Sequence, residues 1–284
     1  MLSGALDAAR AAPWQWPPAR GWYEATGRAR LRSMFPTARG LPLLLALTAL
    51  SAPATAGNLP GDFVYLRDVD PGIAQDIRYA GSDNFTGRPL PGYGAAECVL
   101  RADVARALAN VQADLARQQL GLKIYDCYRP ARAVAAFARW SRDDRDAGAG
   151  KRFFPRLEKR ALFNGGYIAA HSAHSAGNAV DLTLIARPAP PASAFDRNAA
   201  YGPCTAPPSQ RAPDNALDMG TGFDCFDDTS RTASAAIAPE QRRRRALLVA
   251  AMRAHWFHNY FREWWHFSFG ARGRTYDFPI APRP

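Results

Sequence analysis

This 284-residue chain contains no apolar run of the ~20 residues that a bilayer-spanning helix needs. Its clearest one, residues 41–50, is too short to cross a bilayer stably, so a helical membrane span is not expected. Acidic side chains are in the minority, 25 against 36 lysines and arginines, for a formal net charge of +11. Such a balance would suit nucleic acid, yet the arginines are dispersed except for Arg242-Arg243-Arg244-Arg245 at an expected helix start. A solvated helix face, or weak attraction to an anionic cell envelope, accounts for that run better. No internal repeat is visible. Helices and strands mix without a regular βαβ rhythm, which argues for an α+β fold, a small, mainly antiparallel sheet flanked by helices.

Cysteine is also scarce. Cys98, Cys127, Cys204 and Cys225 include no two within four residues of each other, so the close pairs of a four-cysteine zinc site are missing. An even set in an exported chain favours two disulfides, and proximity suggests Cys98–Cys127 and Cys204–Cys225, although four cysteines allow three pairings.

Export is expected from the N-terminal end. Arg39 precedes the apolar residues 41–50, and Ala54-Thr55-Ala56 follows as an A-x-A cleavage site, so residues 1–56 read as leader and secretory signal. Met34 would make a more ordinary signal start than Met1. Removing the leader's six arginines and two acids takes the net +11 to +7 for residues 57–284. That length suits one domain with a well-buried core, and the periplasm is its expected location.

Phe63-Val64-Tyr65-Leu66 and Gln75-Asp76-Ile77-Arg78-Tyr79 read as short strands around the turn Asp70-Pro71-Gly72. Val104, Leu108, Val111 and Leu115 fall at helical spacing, giving a helix from Ala102 closed by Gly121. Residues 122–128 follow as a strand, and Pro130 opens a second helix through Val134, Phe137 and Trp140. Residues 187–216, rich in Pro and Ala, form a long surface excursion. Pro239-Glu240 starts the last helix, which leads into an aromatic strand over residues 264–269.

The chemistry-bearing residues lie in Ser172-Ala173-His174-Ser175-Ala176-Gly177-Asn178-Ala179-Val180-Asp181 and in Glu263-Trp264-Trp265-His266. Two histidines and an aspartate can hold zinc through two nitrogens and one oxygen, leaving a position open for water, with Glu263 close by as a base. Alternation of Val180, Leu182 and Leu184 places Asp181 on the other face of a half-buried strand. The Gly177 turn is needed to fold His174 back towards it. His174 alone would be an ordinary surface histidine and His266 a hydrogen-bonded core one; Asp181 is harder to dismiss, because an unpartnered buried carboxylate is costly. His171, His255 and His258 are set aside, the last two standing near a helix end whose dipole favours a cation. Positions three apart on a regular strand point to opposite faces, so Glu263 must sit on the turn entering the strand that carries His266.

Ser-x-His-x-x-Gly-x-Ala-x-Asp followed by Glu-x-x-His resembles the zinc-dependent D-alanyl-D-alanine dipeptidases of the DD-peptidase and hedgehog superfamily. The likeness extends through Asn84-Phe85-Thr86-Gly87, Asp126-Cys127-Tyr128-Arg129-Pro130 and Met219-Gly220-Thr221-Gly222-Phe223-Asp224. It implies one Zn2+ held by His174, Asp181 and His266, with Glu263 as base and acid and Arg129 stabilising the tetrahedral intermediate. It also implies Asp224 at the substrate's amino terminus and Ser172 as a hydrogen-bonding group for a small dipeptide. Ala173, where relatives can carry serine, the Pro-rich excursion and the cysteines depart from the pattern. Rival readings are a DD-carboxypeptidase or peptidoglycan endopeptidase on longer stem peptides, and a non-catalytic peptidoglycan-binding protein of the same fold. A non-haem iron oxygenase also uses two histidines and a carboxylate. Oligomeric state is not legible.

Overall fold

The computed structural model describes residues 59–271 and 273–283; the expected leader and its cleavage after Ala56 lie outside them. In chain order the regular elements are β1 (Phe63–Tyr65), α1 (Leu66–Val69), β2 (Ala74–Gln75), β3 (Val99–Arg101), α2 (Ala102–Ala116) and β4 (Leu120–Asp126). There follow α3 (Ala131–Arg142), α4 (Ala161–Asn164), β5 (Ala179–Ala186), α5 (Pro239–Ala254), β6 (Phe257–Asn259) and β7 (His266–Phe269). Five strands form one sheet in the order β2-β4-β5-β7-β6, and β1 pairs with β3 in a separate antiparallel ribbon. Only β2 runs parallel to its neighbour. The α+β expectation with a mainly antiparallel sheet therefore holds, and the larger sheet is mixed.

The helix expected from Ala102 forms because its apolar stripe, Val104, Leu108, Val111 and Leu115, is fully buried against the sheet. Gly121 does not close it: α2 ends at Ala116, Gln119 makes the reversal at φ 56°, and Gly121 already belongs to β4. Buried Gln112 fixes this join by accepting from the Leu122 amide at 2.8 Å. The strand expected over residues 75–79 is also shorter. After the Asp76 amide donates to Ile124 the chain leaves the sheet in a 3₁₀ turn, Arg78–Ala80, and the buried Arg78 guanidinium meets Asp76, Asp83 and Asp214.

Three further expectations change. β5 is buried on both faces, not one: Asp181 and Thr183 are as fully covered as Val180, Leu182 and Leu184. Trp264 and Trp265 are core residues on a turn before β7, and β6 beside it was not anticipated. Arg245 is not on a solvated face; it is 1% exposed, and its guanidinium donates to the carbonyls of Met219, Thr229 and Arg231. Burial lowers it to about 10. Disulfides join Cys98 to Cys127 and Cys204 to Cys225, with Cα–Cα separations of 5.3 and 5.4 Å. The excursion over residues 187–216 carries no helix or strand beyond a 3₁₀ turn at Pro208–Gln210.

Candidate metal centre and active site

The site is assembled by register. Antiparallel pairing sets Asp181 of β5 opposite His266 of β7 on one side and opposite Asp126 of β4 on the other. A bulge between Ile124 and Asp126 makes the second pairing possible; without it Tyr125 would face Asp181. His174 joins from the 3₁₀ turn Ala173–Ala176. Ser172 caps that turn by accepting the His174 amide at 3.2 Å, and Gly177 ends it at φ 72°, where a Cβ would strike the Phe63 ring at 2.2 Å. Glycine is thus required there on both grounds.

His174 Nε2 lies 3.1 Å from His266 Nδ1 and 3.3 Å from Asp181 Oδ1, and the last two atoms are 2.9 Å apart. These separations are close to the ~3.4 Å edge of a tetrahedron with ~2.1 Å metal–ligand bonds. The cluster is the one such group of histidine, cysteine and acid ligand atoms among the described residues. His174 Nδ1 contacts the Cys127 carbonyl at 2.6 Å; a carbonyl can only accept, so Nδ1 carries the proton and Nε2 presents its lone pair to the cluster. The donor set and spacing fit a divalent transition metal. His255 pairs instead with Asp114 at 2.8 Å, and His171 and His258 are exposed.

Two carboxylates side by side across a sheet repel, and Arg129 lies against both. Its Nη2 is 2.8 Å from Asp126 and 3.3 Å from Asp181, while its amide donates to the His174 carbonyl at 3.2 Å. The guanidinium stacks over the rings of Tyr79 and Phe137 at 4.9 and 5.3 Å. Desolvation acts against its charge, but Asp126 and its neighbours raise it well above the usual arginine range, so Arg129 stays cationic. Its Nη1 has no hydrogen-bond partner among the described residues. Asp126, fully buried, also accepts from the Tyr93 hydroxyl at 2.6 Å.

Glu263 is half-buried on the turn before β7, the position expected from the sequence. The Asn259 amide holds that turn by donating to the carbonyls of Glu263 and His266 at 3.1 and 3.0 Å. Burial, with Asp181 and Asp224 adding repulsion, lifts the Glu263 carboxyl well above the usual range. Asp224, at φ 55° and 5% exposed, accepts from the Tyr79 hydroxyl at 2.6 Å. Burial first and Asp181 second raise it to about 8. Asp126, Tyr79, Tyr93 and Asn259 were assigned no role from sequence. An Asp inside an apolar strand was the available signal for Asp126; nothing local marked the others.

The chain matches the family described as D-ala-D-ala dipeptidase over residues 60–192 and 209–282. The chain belongs to that family. A D-alanyl-D-alanine dipeptidase of Streptomyces coelicolor is 33% identical over 226 residues, 78% of this chain and 100% of the relative. One from Enterococcus faecalis is 31% identical, covering 72% of this chain and 90% of the relative, and one from Escherichia coli 30%, covering 72% and 83%. Within this family the break in the match, residues 193–208, falls on the Pro-rich excursion and includes Cys204.

Proposed function

We propose that the protein is a zinc-dependent dipeptidase that hydrolyses D-alanyl-D-alanine to D-alanine. The observation that carries this is the convergence of the His174–Asp181–His266 cluster with Arg129 on a chain whose relatives bear that activity in their names. A divalent ion held there supplies Lewis-acid activation of water and of the scissile carbonyl. Glu263 takes the proton from the attacking water and delivers it to the leaving amine; its raised proton affinity suits both transfers near neutral pH. Arg129, whose Nη1 has no partner among the described residues, faces the oxyanion. Asp224 receives the substrate's ammonium through the oxygen not engaged by Tyr79. Ser172 is already spent on the His174 amide as an acceptor, leaving its hydroxyl proton for a substrate oxygen.

Export to the periplasm with cleavage after Ala56 belongs to the same proposal, supported by the apolar leader and two disulfides. An exported enzyme would meet the dipeptide from cell-wall turnover, not the cytoplasmic precursor pool. Product analysis with D-Ala-D-Ala beside N-acetyl-D-Ala-D-Ala tests the substrate. A preference of about 10²-fold or more for the free dipeptide is expected, because acetylation removes the charge that Asp224 would pair. Equal cleavage of both would favour a stem-peptide carboxypeptidase.

A further inference from the structure

Cys204 touches the segment around Asp224 on both of its sides. Its sulfur is bonded to Cys225, the residue after Asp224, and its carbonyl accepts from the Gly222 amide at 2.8 Å, two residues before. Cys204 is itself anchored, since its amide donates to the Arg152 carbonyl at 2.7 Å, while the Phe226 amide donates to Phe153 at 2.8 Å. Both cysteines are buried, at 6% and 0% exposure. Between these two attachments Asp224 adopts φ 55°, a left-handed conformation that a non-glycine residue keeps only where its surroundings impose it. That conformation delivers one carboxylate oxygen to Tyr79 at 2.6 Å and leaves the other without a partner among the described residues. Cys204 lies outside the residues that match the family, so this brace is contributed by the chain's own excursion.

We propose that the Cys204–Cys225 disulfide is a positioning device for substrate recognition: it holds Asp224 where it can take the ammonium of a free dipeptide, and so sets the preference for unacylated substrate. This rests on the dipeptidase reading above. Among the described residues neither cysteine belongs to the metal-ligand cluster or bonds to the Arg129 side chain, so the effect belongs to binding of the amino end and not to the bond-breaking step. A bridge that only adds stability would leave both KM and the substrate preference unchanged in protein that remains folded.

The test compares zinc-loaded wild type with Cys204→Ala/Cys225→Ala and with Cys98→Ala/Cys127→Ala, assayed below their unfolding temperatures on D-Ala-D-Ala and its N-acetyl form. Opening the 204–225 bridge should raise KM for the free dipeptide roughly tenfold or more with kcat little changed, and shrink the preference over the acetylated form by a similar factor. Opening the 98–127 bridge should leave that preference as it was. Asp224→Asn should lower the preference alone, and adding the cysteine pair to it should lower it no further, because both changes act through one carboxylate. If the paired alanines do not yield folded protein, Cys204→Val/Cys225→Ala fills the vacated space and is read the same way. A folded 204–225 variant with wild-type KM and preference would overturn the proposal. Wild type that cleaves both substrates equally would instead overturn the dipeptidase reading beneath it.

Discussion

The two proposed roles of the Glu263-Trp264-Trp265-His266 segment separate at single residues. Glu263→Gln keeps the shape of the side chain and removes its proton affinity, so metal content should hold while kcat falls by about 10²–10⁴-fold. Steady-state kinetics beside metal analysis reads both, and a variant keeping more than about a tenth of wild-type kcat would be incompatible with a general base. His266→Ala removes a nitrogen that lies within 3.1 Å of both other cluster atoms, so the purified protein should lose its bound metal. His258→Ala, on the exposed side of β6, should retain it. Equal metal loss in the two variants would mean that the cluster is not the binding site.

At the level of elements, the helix α5 does more than cover the sheet. Arg245 reaches from it to three carbonyls on the segments that flank Asp224, namely Met219 on one side and Thr229 and Arg231 on the other. Replacing Arg245 by Met keeps much of the apolar stem but leaves those acceptors without their donor. Each hydrogen bond from a charged group contributes about 1.5–3 kcal/mol, so a loss of at least about 3 kcal/mol in unfolding free energy is expected. Denaturant titration checks it; a change under about 1 kcal/mol would show that water replaces the guanidinium at no great cost. The four-arginine run did not disclose this, because Arg243, its neighbour but one, is exposed and pairs with Glu240. Which arginine turns inward depends on helix phase against the sheet, a relation that composition does not carry.

Across the whole molecule, one ion-pair network ties the start of the fold to the end of the excursion. Asp214 meets Arg78 at 3.1 Å, Lys123 at 2.9 Å and the Tyr125 hydroxyl at 2.6 Å. Burial pushes its carboxyl up, but Arg78 and Lys123 outweigh that and hold it below the ordinary carboxylate value. A folded-state value below the unfolded one gives stability that is present above the unfolded carboxylate range, near pH 4, and is lost as pH falls through the folded value. Metal-free wild type should therefore lose stability progressively below about pH 4, and Asp214→Asn should be less stable at neutral pH with a shallower acid limb. Denaturant midpoints measured with chelator from pH 7 to pH 2 compare the two, chelation removing the protons linked to metal binding. Parallel acid limbs would remove Asp214 from the account.

The sequence by itself determined what depends on neighbours along the chain: the α2 stripe, the Gly177 turn behind His174 and the position of Glu263 before its strand. These follow from periodicity and left-handed backbone, which local chemistry dictates, whereas proximity only suggested the cysteine pairs that the fold then selected from three possible pairings. Only the tertiary structure decided the rest of the site. Asp126 is aligned with Asp181 by a bulge in β4, and whether a strand bulges depends on its partner as well as on itself. The Tyr79 hydroxyl reaches Asp224, 145 residues away, while its ring lies under Arg129. Where the expected strand gives way to a 3₁₀ turn, Arg78 also ion pairs with Asp214, whose place in the chain gives no hint of the contact. Contacts of that range are set by how the sheet and its covering loops pack, so they became visible only in the folded chain.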